Sequence, residues 1–138
     1  MGSKNIFRII YNRSMPKILI IDDDTVLSRM YKSAFEFAGY KADCAMDGEE
    51  GLLKVKEFKP DVILSDIMMP KIDGLEFLKK VKSKKDTKNI KIIVMTNLRD
   101  EENTKTALNT GAEKVIIKNE QGPTEVVNII KGILQPVG

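Results

Sequence analysis

The sequence predicts an α/β fold, a doubly wound parallel five-stranded sheet of (βα)5 type. Three observations carry this. Five short apolar runs recur along the 138 residues. Segments with helical patterning separate them, long enough to serve as crossovers. Four of the five runs are nearly continuous in Ile, Leu, Val and Met, the pattern of strands covered on both faces. The length fits one domain, placed at residues 16–134, after an N-terminal extension or leader at 1–15 and before a tail at 135–138.

The runs are Lys17–Ile21, Lys41–Ala45, Asp61–Ser65, Lys91–Met95 and Lys114–Ile117. The second, Lys-Ala-Asp-Cys-Ala, alternates and reads as an edge strand. After the first run, Leu27, Met30, Ala34 and Phe37 fall on one helical face, and Gly39 ends that helix. Asp47 caps a second helix that runs to Phe58, before Pro60. Asp73 opens a third, striped by Leu75, Leu78 and Val81. Asp100 caps a fourth, stopped by Gly111. Pro123 sits in the first turn of a fifth, with Val126, Val127, Ile130 and Ile133 facing inward.

Composition narrows the chemistry. Apolar residues make up 42% of the chain, enough to bury a core. A single cysteine, Cys44, excludes an internal disulfide framework and suits a reducing, cytoplasmic setting. Cys44 itself reads as a small core residue. The absence of histidine removes imidazole acid–base chemistry and the commonest zinc ligand. The net charge is +3, but residues 1–17 hold Lys4, Arg8, Arg13 and Lys17 with no acid, and the rest sums to −1. The domain body therefore predicts no nucleic-acid partner. The basic N-terminal stretch reads as a leader more readily than as an arm for an acidic partner. Met-Gly-Ser has the form of a cloning scar, and Met15 offers a second start. Ile6–Tyr11, broken by Arg8, is too short for a signal core or a membrane span.

Polar residues collect at the strand ends. The first run ends in Asp22, Asp23 and Asp24, the third in Asp66, the fourth in Thr96 and the fifth in Lys118. In an open parallel sheet, ligands bind beyond the carboxyl ends of the strands, near the switch in strand order. Clustered carboxylates repel one another and favour a divalent cation. Oxygen donors without Cys or His select Mg²⁺ or Mn²⁺ over zinc. One carboxylate can then attack an electrophilic phosphorus, while Lys118 and Thr96 hold phosphoryl oxygens. A charge-assisted hydrogen bond of this kind contributes about 1.5–3 kcal/mol. Each residue also has an ordinary reading. One of Asp22–Asp24 caps the first helix, Asp66 starts a turn before Pro70, Thr96 ends a strand, and Lys118 is a solvated ammonium. Their convergence at matching strand ends favours the site.

These residues resemble the receiver domain of response regulators, the CheY-like family of two-component systems. Lys17-Ile-Leu-Ile-Ile-Asp-Asp-Asp is similar to its first strand and acidic pair, matched by Asp22 and Asp23. Asp61-Val-Ile-Leu-Ser-Asp-Ile-Met-Met-Pro-Lys-Ile-Asp-Gly74 resembles its phosphorylation segment and places the phosphoacceptor at Asp66. Ile93-Val-Met-Thr96 and Gly111-Ala112 through Lys118 complete the pattern. The resemblance implies a flavodoxin/CheY-like strand order 2-1-3-4-5. It implies Mg²⁺, with Mn²⁺ as a substitute, held by Asp23, Asp66 and the backbone carbonyl of Met68, and by Asp22 through water. Asp66 is expected to accept a phosphoryl group from a sensor histidine kinase or a histidine phosphotransfer protein. Thr96 and Lys118 then move toward it and shift the face built from the fourth helix, fifth strand and fifth helix. The output is a downstream protein target or an effector domain absent from this chain. Such a domain catalyses only its own phosphorylation and dephosphorylation.

The sequence departs from the family at three positions. Val115 stands where a switchable aromatic is usual, Asn119 where a proline follows the lysine, and Asn97 where a small residue is usual. A cis bond before Asn119 costs about 3 kcal/mol, so a trans loop is expected. Met68 and Leu98 flank the path of attacking water, and both are apolar, which predicts slow self-dephosphorylation. Two rivals remain. Asp22-Asp-Asp-Thr-Val26 fits the motif of haloacid-dehalogenase-type phosphatases, with Asp22 as nucleophile and Asp24 as general acid. That family needs a later adjacent acidic pair, whereas Glu120 and Glu125 are separated, and it gives Asp66 no role. The second rival is a receiver-like module that binds partners without phosphorylation, suggested by Val115 and Asn119.

Overall fold

The computed structural model describes residues 15–69, 71–97 and 101–134, and leaves the side chain of Asn119 undescribed. The elements run β1 (Lys17–Ile21), α1 (Thr25–Phe37), β2 (Lys41–Ala45), α2 (Gly48–Phe58), β3 (Val62–Asp66), α3 (Gly74–Ser83), β4 (Lys91–Thr96), α4 (Glu101–Thr110), β5 (Lys114–Ile117) and α5 (Pro123–Leu134). A 3-10 turn, Lys118–Glu120, joins β5 to α5. Among the described residues all strand pairings are parallel, in the order β2-β1-β3-β4-β5. The alternating second run is indeed an edge strand.

Alternate residues of the central strands feed two cores. Ile18, Ile20, Leu64 and Met95 pack with Tyr31 and Phe35 of α1 and Val126 and Ile130 of α5. Leu19, Ile21, Ile63 and Val94 pack on the other face with Val55, Phe77, Leu78 and Ala107 from α2, α3 and α4. Each large apolar side chain buried this way contributes about 1.5–3 kcal/mol. Asp24, Asp47 and Asp73 cap α1, α2 and α3 by accepting from Leu27 N, Glu50 N and Glu76 N at 3.0, 2.8 and 2.8 Å. A cap of this type is worth about 1 kcal/mol. Gly39 and Gly111 follow α1 and α4 at φ 95° and 124°, which side-chain-bearing residues avoid.

The structure corrects several sequence expectations. The inward face of α1 is not Leu27, Met30, Ala34 and Phe37. Tyr31, Phe35 and Ser28 are buried, Leu27 and Ala34 half-buried, and Met30 and Phe37 are 51% and 96% exposed. Both stripes have helical spacing, and the helix turns inward the one with more ring area. Phe35 also meets Tyr40 edge to face at 5.1 Å, and Ser28 Oγ donates to Asp22 O at 3.3 Å. In α3, Phe77 is buried and Leu75 only half-buried. β5 is the second edge strand, with Ile116 alone fully buried, so its apolar run did not signify cover on both faces. Cys44 is half-buried on this edge strand, packed against the core around Tyr31 and Phe35 rather than within it. β3 starts at Val62 and includes Asp66, and β4 includes Thr96. The predicted cap Asp100, together with Leu98 and Pro70, lies outside the described residues.

Candidate functional site

Strand register assembles the site. Ile21 pairs with Ser65, so Asp22 follows β1 beside Asp66 at the end of β3. Asp66 pairs with Met95, and Thr96 pairs with Ile117, which places Lys118 one residue beyond. All of these chain positions occupy the carboxyl edge of the sheet. β1 and β3 are also where the strand order reverses direction, the position at which such sheets bind ligands.

Asp22, Asp23 and Asp66 each present an oxygen, and these oxygens lie within 4.8 Å of one another. Lys118 Nζ stands 2.6 Å from Asp22 Oδ2 and 2.9 Å from Asp66 Oδ2. Asp22 and Asp66 are buried, Asp23 is exposed, and the Lys118 side chain is 7% exposed. The Lys118 contact to Asp66 is a hydrogen bond. The shorter contact, to Asp22 Oδ2, is an ion pair between buried groups.

Burial pushes the Asp22 carboxyl up, outweighing the Lys118 ammonium and the Asp24 N–H that pull it down; the Asp66 charge adds to the rise. Burial alone pulls the Lys118 ammonium down, but its bonds to Asp22 and Asp66 outweigh it and hold it above the ordinary lysine range. One ammonium thus meets two buried carboxylates, with the Asp23 carboxylate beside them. The surplus negative charge and the clustered carboxylate oxygens fit a hard divalent cation with oxygen ligands.

Neighbouring backbone holds these groups in place. The Asp24 N–H donates to Asp22 Oδ1 at 3.0 Å, and the Met68 N–H to Asp66 Oδ1 at 3.3 Å. Asp24 is therefore the residue of the triplet that caps α1, and its neighbours are left for the site. Gly74 N donates to Ile67 O at 2.8 Å, and a Cβ on Gly74 would lie 2.6 Å from Ile67 Cα. The start of α3 can approach the loop after Asp66 only because residue 74 lacks a side chain. In that loop Lys71 adopts φ 68°, with its ammonium 3.6 Å from Asp47 and 3.7 Å from Glu49 at the start of α2.

Thr96 is buried at the end of β4, as the sequence reading placed it, and makes contacts of its own. The exposed Met68 lines a groove beside Asp23, with Met69 and Asn103. Among the described residues no peptide bond is cis, including the one before Asn119. Two features escaped the sequence reading. Nothing in the sequence sets Lys71 apart from the other exposed lysines. Tyr31 is buried on α1, where burial pushes its phenol up, and it feels the charges of Lys118, Asp22 and Asp66. Nothing in its helical spacing marks it as different from an apolar core residue.

A model of the response regulator receiver domain matches residues 18–131. The chain belongs to that family. Over 120 residues it is 37% identical to the alkaline phosphatase synthesis transcriptional regulatory protein PhoP of Bacillus subtilis, covering 86% of this chain and 48% of that protein. It is 33% identical over 104 residues to the DNA-binding dual master transcriptional regulator RpaA of Synechocystis, covering 75% and 43%. The chain spans about half the length of these curated relatives. Among solved structures, a CheY-like receiver domain protein from Methanospirillum hungatei superposes with a TM-score of 0.81 at 34% identity, covering 88% of this chain and 94% of that one. The chemotaxis response regulator CheY4 of Vibrio cholerae gives 0.80 at 29% identity, covering 86% and 98%.

This receiver domain has the strand order expected from the sequence. Its function is that of a phosphorylation-dependent switch in two-component signalling. Receiver domains bind Mg²⁺, and the oxygens of Asp22, Asp23 and Asp66 form a cluster that fits it. Family membership sets aside the phosphatase reading of Asp22. Among the described residues no helix is long and apolar enough to cross a membrane.

Proposed function

We propose that Asp66 is the phosphoacceptor and that Asp22, Asp23, Asp66 and the Met68 carbonyl hold Mg²⁺, or Mn²⁺, at this edge. The ion, when bound, neutralises charge on the phosphoryl oxygens. A carboxylate oxygen of Asp66 bonds to phosphorus as the phosphorus–nitrogen bond of a donor phosphohistidine breaks. The nitrogen keeps the electron pair and takes a proton from solvent. Lys118, already within 2.9 Å of Asp66, follows the added charge and holds one phosphoryl oxygen. The Thr96 hydroxyl donates to another. The donor is a sensor histidine kinase or a phosphotransfer protein, and the output is a protein target or an effector domain.

The carrying observation is one ammonium shared by two buried carboxylates, with a third beside them. Asp66 thereby has an oxygen close enough to one of Asp23 to share a ligand and is tied to the residue that reads its charge. The shift in Lys118 moves a population between two conformations, limited in size by these contacts. With Val115 half-buried in β5 instead of an aromatic, the output passes through Lys118 and the turn that follows it.

Incubation with Mg²⁺ and acetyl phosphate is expected to add one phosphoryl group by intact mass. Asp66→Asn is expected to abolish the gain, and Asp22→Asn to slow it without abolishing it. Labelling that survives in Asp66→Asn would assign the acceptor elsewhere.

A further inference from the structure

We propose that the basic ridge at the end of α3 and in the loop to β4 is a docking surface for duplex nucleic acid, engaged through phosphates without base readout. Residues 79–91 hold seven lysines and one acid, Asp86, a local charge of +6 in a chain whose total is +3. The near-neutral sum over the domain conceals this segregation. Lys79, Lys80, Lys84, Lys85 and Lys88 are exposed, and among the described residues none of the five is in an ion pair. The helix dipole accounts for Lys80 and Lys82 in the last turn of α3, but not for Lys84, Lys85 and Lys88 in the loop beyond it.

The ridge is also built. Lys82 Nζ turns back to donate to Lys88 O at 3.0 Å and Ile90 O at 2.7 Å, and Thr87 Oγ1 donates to Val81 O at 2.7 Å. These bonds tie the loop to the helix and fix the backbone that carries the exposed ammonium groups. They spend one lysine on structure and leave the other charges outward.

Chemistry selects the partner. Protein interfaces are depleted in Lys and anchored by aromatic or Arg side chains. Residues 79–91 contain no aromatic and no Arg. Val81 is buried and Ile90 half-buried, so the ridge also offers no apolar group for a lipid interface. Without aromatic platforms it does not suit single strands. Hydrated point charges in a row suit the regular phosphates of a duplex. The ridge lies at the amino edge of the sheet, where Lys91 pairs with Val62, while Asp66 ends the same strand. Four residues of strand separate them by about 13 Å. That exceeds a Debye length of about 8–10 Å, so a bound polyanion leaves the acidic edge open to its phosphodonor.

The test is fluorescence anisotropy of the full chain with a labelled duplex of arbitrary sequence, titrated between about 50 and about 200 mM salt. The parent is expected to bind with affinity that falls linearly in log salt and changes little when the duplex sequence is changed. Lys84→Gln/Lys85→Gln/Lys88→Gln is expected to weaken binding about tenfold or more and to reduce the salt slope by about 3. Lys105→Gln on α4 serves as the control and should do neither. Circular dichroism and acetyl phosphate labelling should be unchanged in all variants. Four results would each overturn the proposal. They are no binding at low salt, a triple variant that binds like the parent, strong preference for one sequence, and capture by phosphatidylserine vesicles but not by duplex. The second result would assign binding to the basic N-terminal residues.

Discussion

The two halves of the carboxyl edge are built differently. Around β1 and β3 the site is enclosed and over-determined. Both strands are central, Asp22 and Asp66 are buried, and each carboxylate is held by a backbone N–H and by Lys118. Around β5 the sheet ends, three of the four strand residues are not fully buried, and Val115 and Asn119 replace the usual residues. The difference separates two requirements. Phosphoryl chemistry needs charges fixed in space. Relaying the outcome needs a region that can change partners at small cost, and an edge strand with fewer contacts meets that need.

The largest expected effect breaks the rigid half. Gly74→Ala places a methyl against the Asp66–Ile67 backbone, which cannot yield as a side chain tip can. It is expected to destabilise the domain by about 2–3 kcal/mol in urea unfolding and to slow acetyl phosphate labelling. An unchanged unfolding midpoint would mean that α3 is not seated so tightly. Lys118→Met comes next. It leaves Asp22 and Asp66 facing each other without a cation, so stability without metal should fall by about 1–3 kcal/mol. Added Mg²⁺ should restore more of it than in the parent, read from melting curves with and without the ion.

Val115→Ala tests the permissive half. It removes part of a half-buried side chain and should cost about 1 kcal/mol or less, with labelling of Asp66 unchanged. A large drop in labelling would show that the two halves are not separable. The smallest effect lies away from the edge, at the Asp43–Lys54 pair, 2.8 Å apart on β2 and α2. Burial pushes the Asp43 carboxyl up, but the bonds from Lys54 and the Cys44 N–H outweigh it and hold it below the ordinary range. Its contribution is therefore present above the unfolded carboxylate pKa and is lost as pH falls through the lowered folded value. Asp43→Asn should flatten the acid limb of the stability–pH curve by no more than about 0.5 kcal/mol, since both groups are about a third exposed.

Much of this was legible in advance because it depends on local rules. Strand runs, Asp caps and helix-ending glycines are set by period and backbone preference within a few residues. The acids at 22, 23 and 66 were legible because a parallel sheet aligns its strand ends. What escaped was whatever depended on choosing between equivalent faces. Met30 and Tyr31 are adjacent, and either could have pointed inward.

The sequence by itself therefore determined the order of elements, their approximate ends and which residues reach the carboxyl edge, since each follows from neighbours along the chain. Tertiary structure alone decided which side of α1 is buried, that β5 is an edge, that Asp24 caps while Asp22 meets Lys118, and that Lys82 turns back to tie down the loop whose other lysines stay exposed. These outcomes follow from competition between whole surfaces for a limited interior. Such competition is resolved only when distant segments meet.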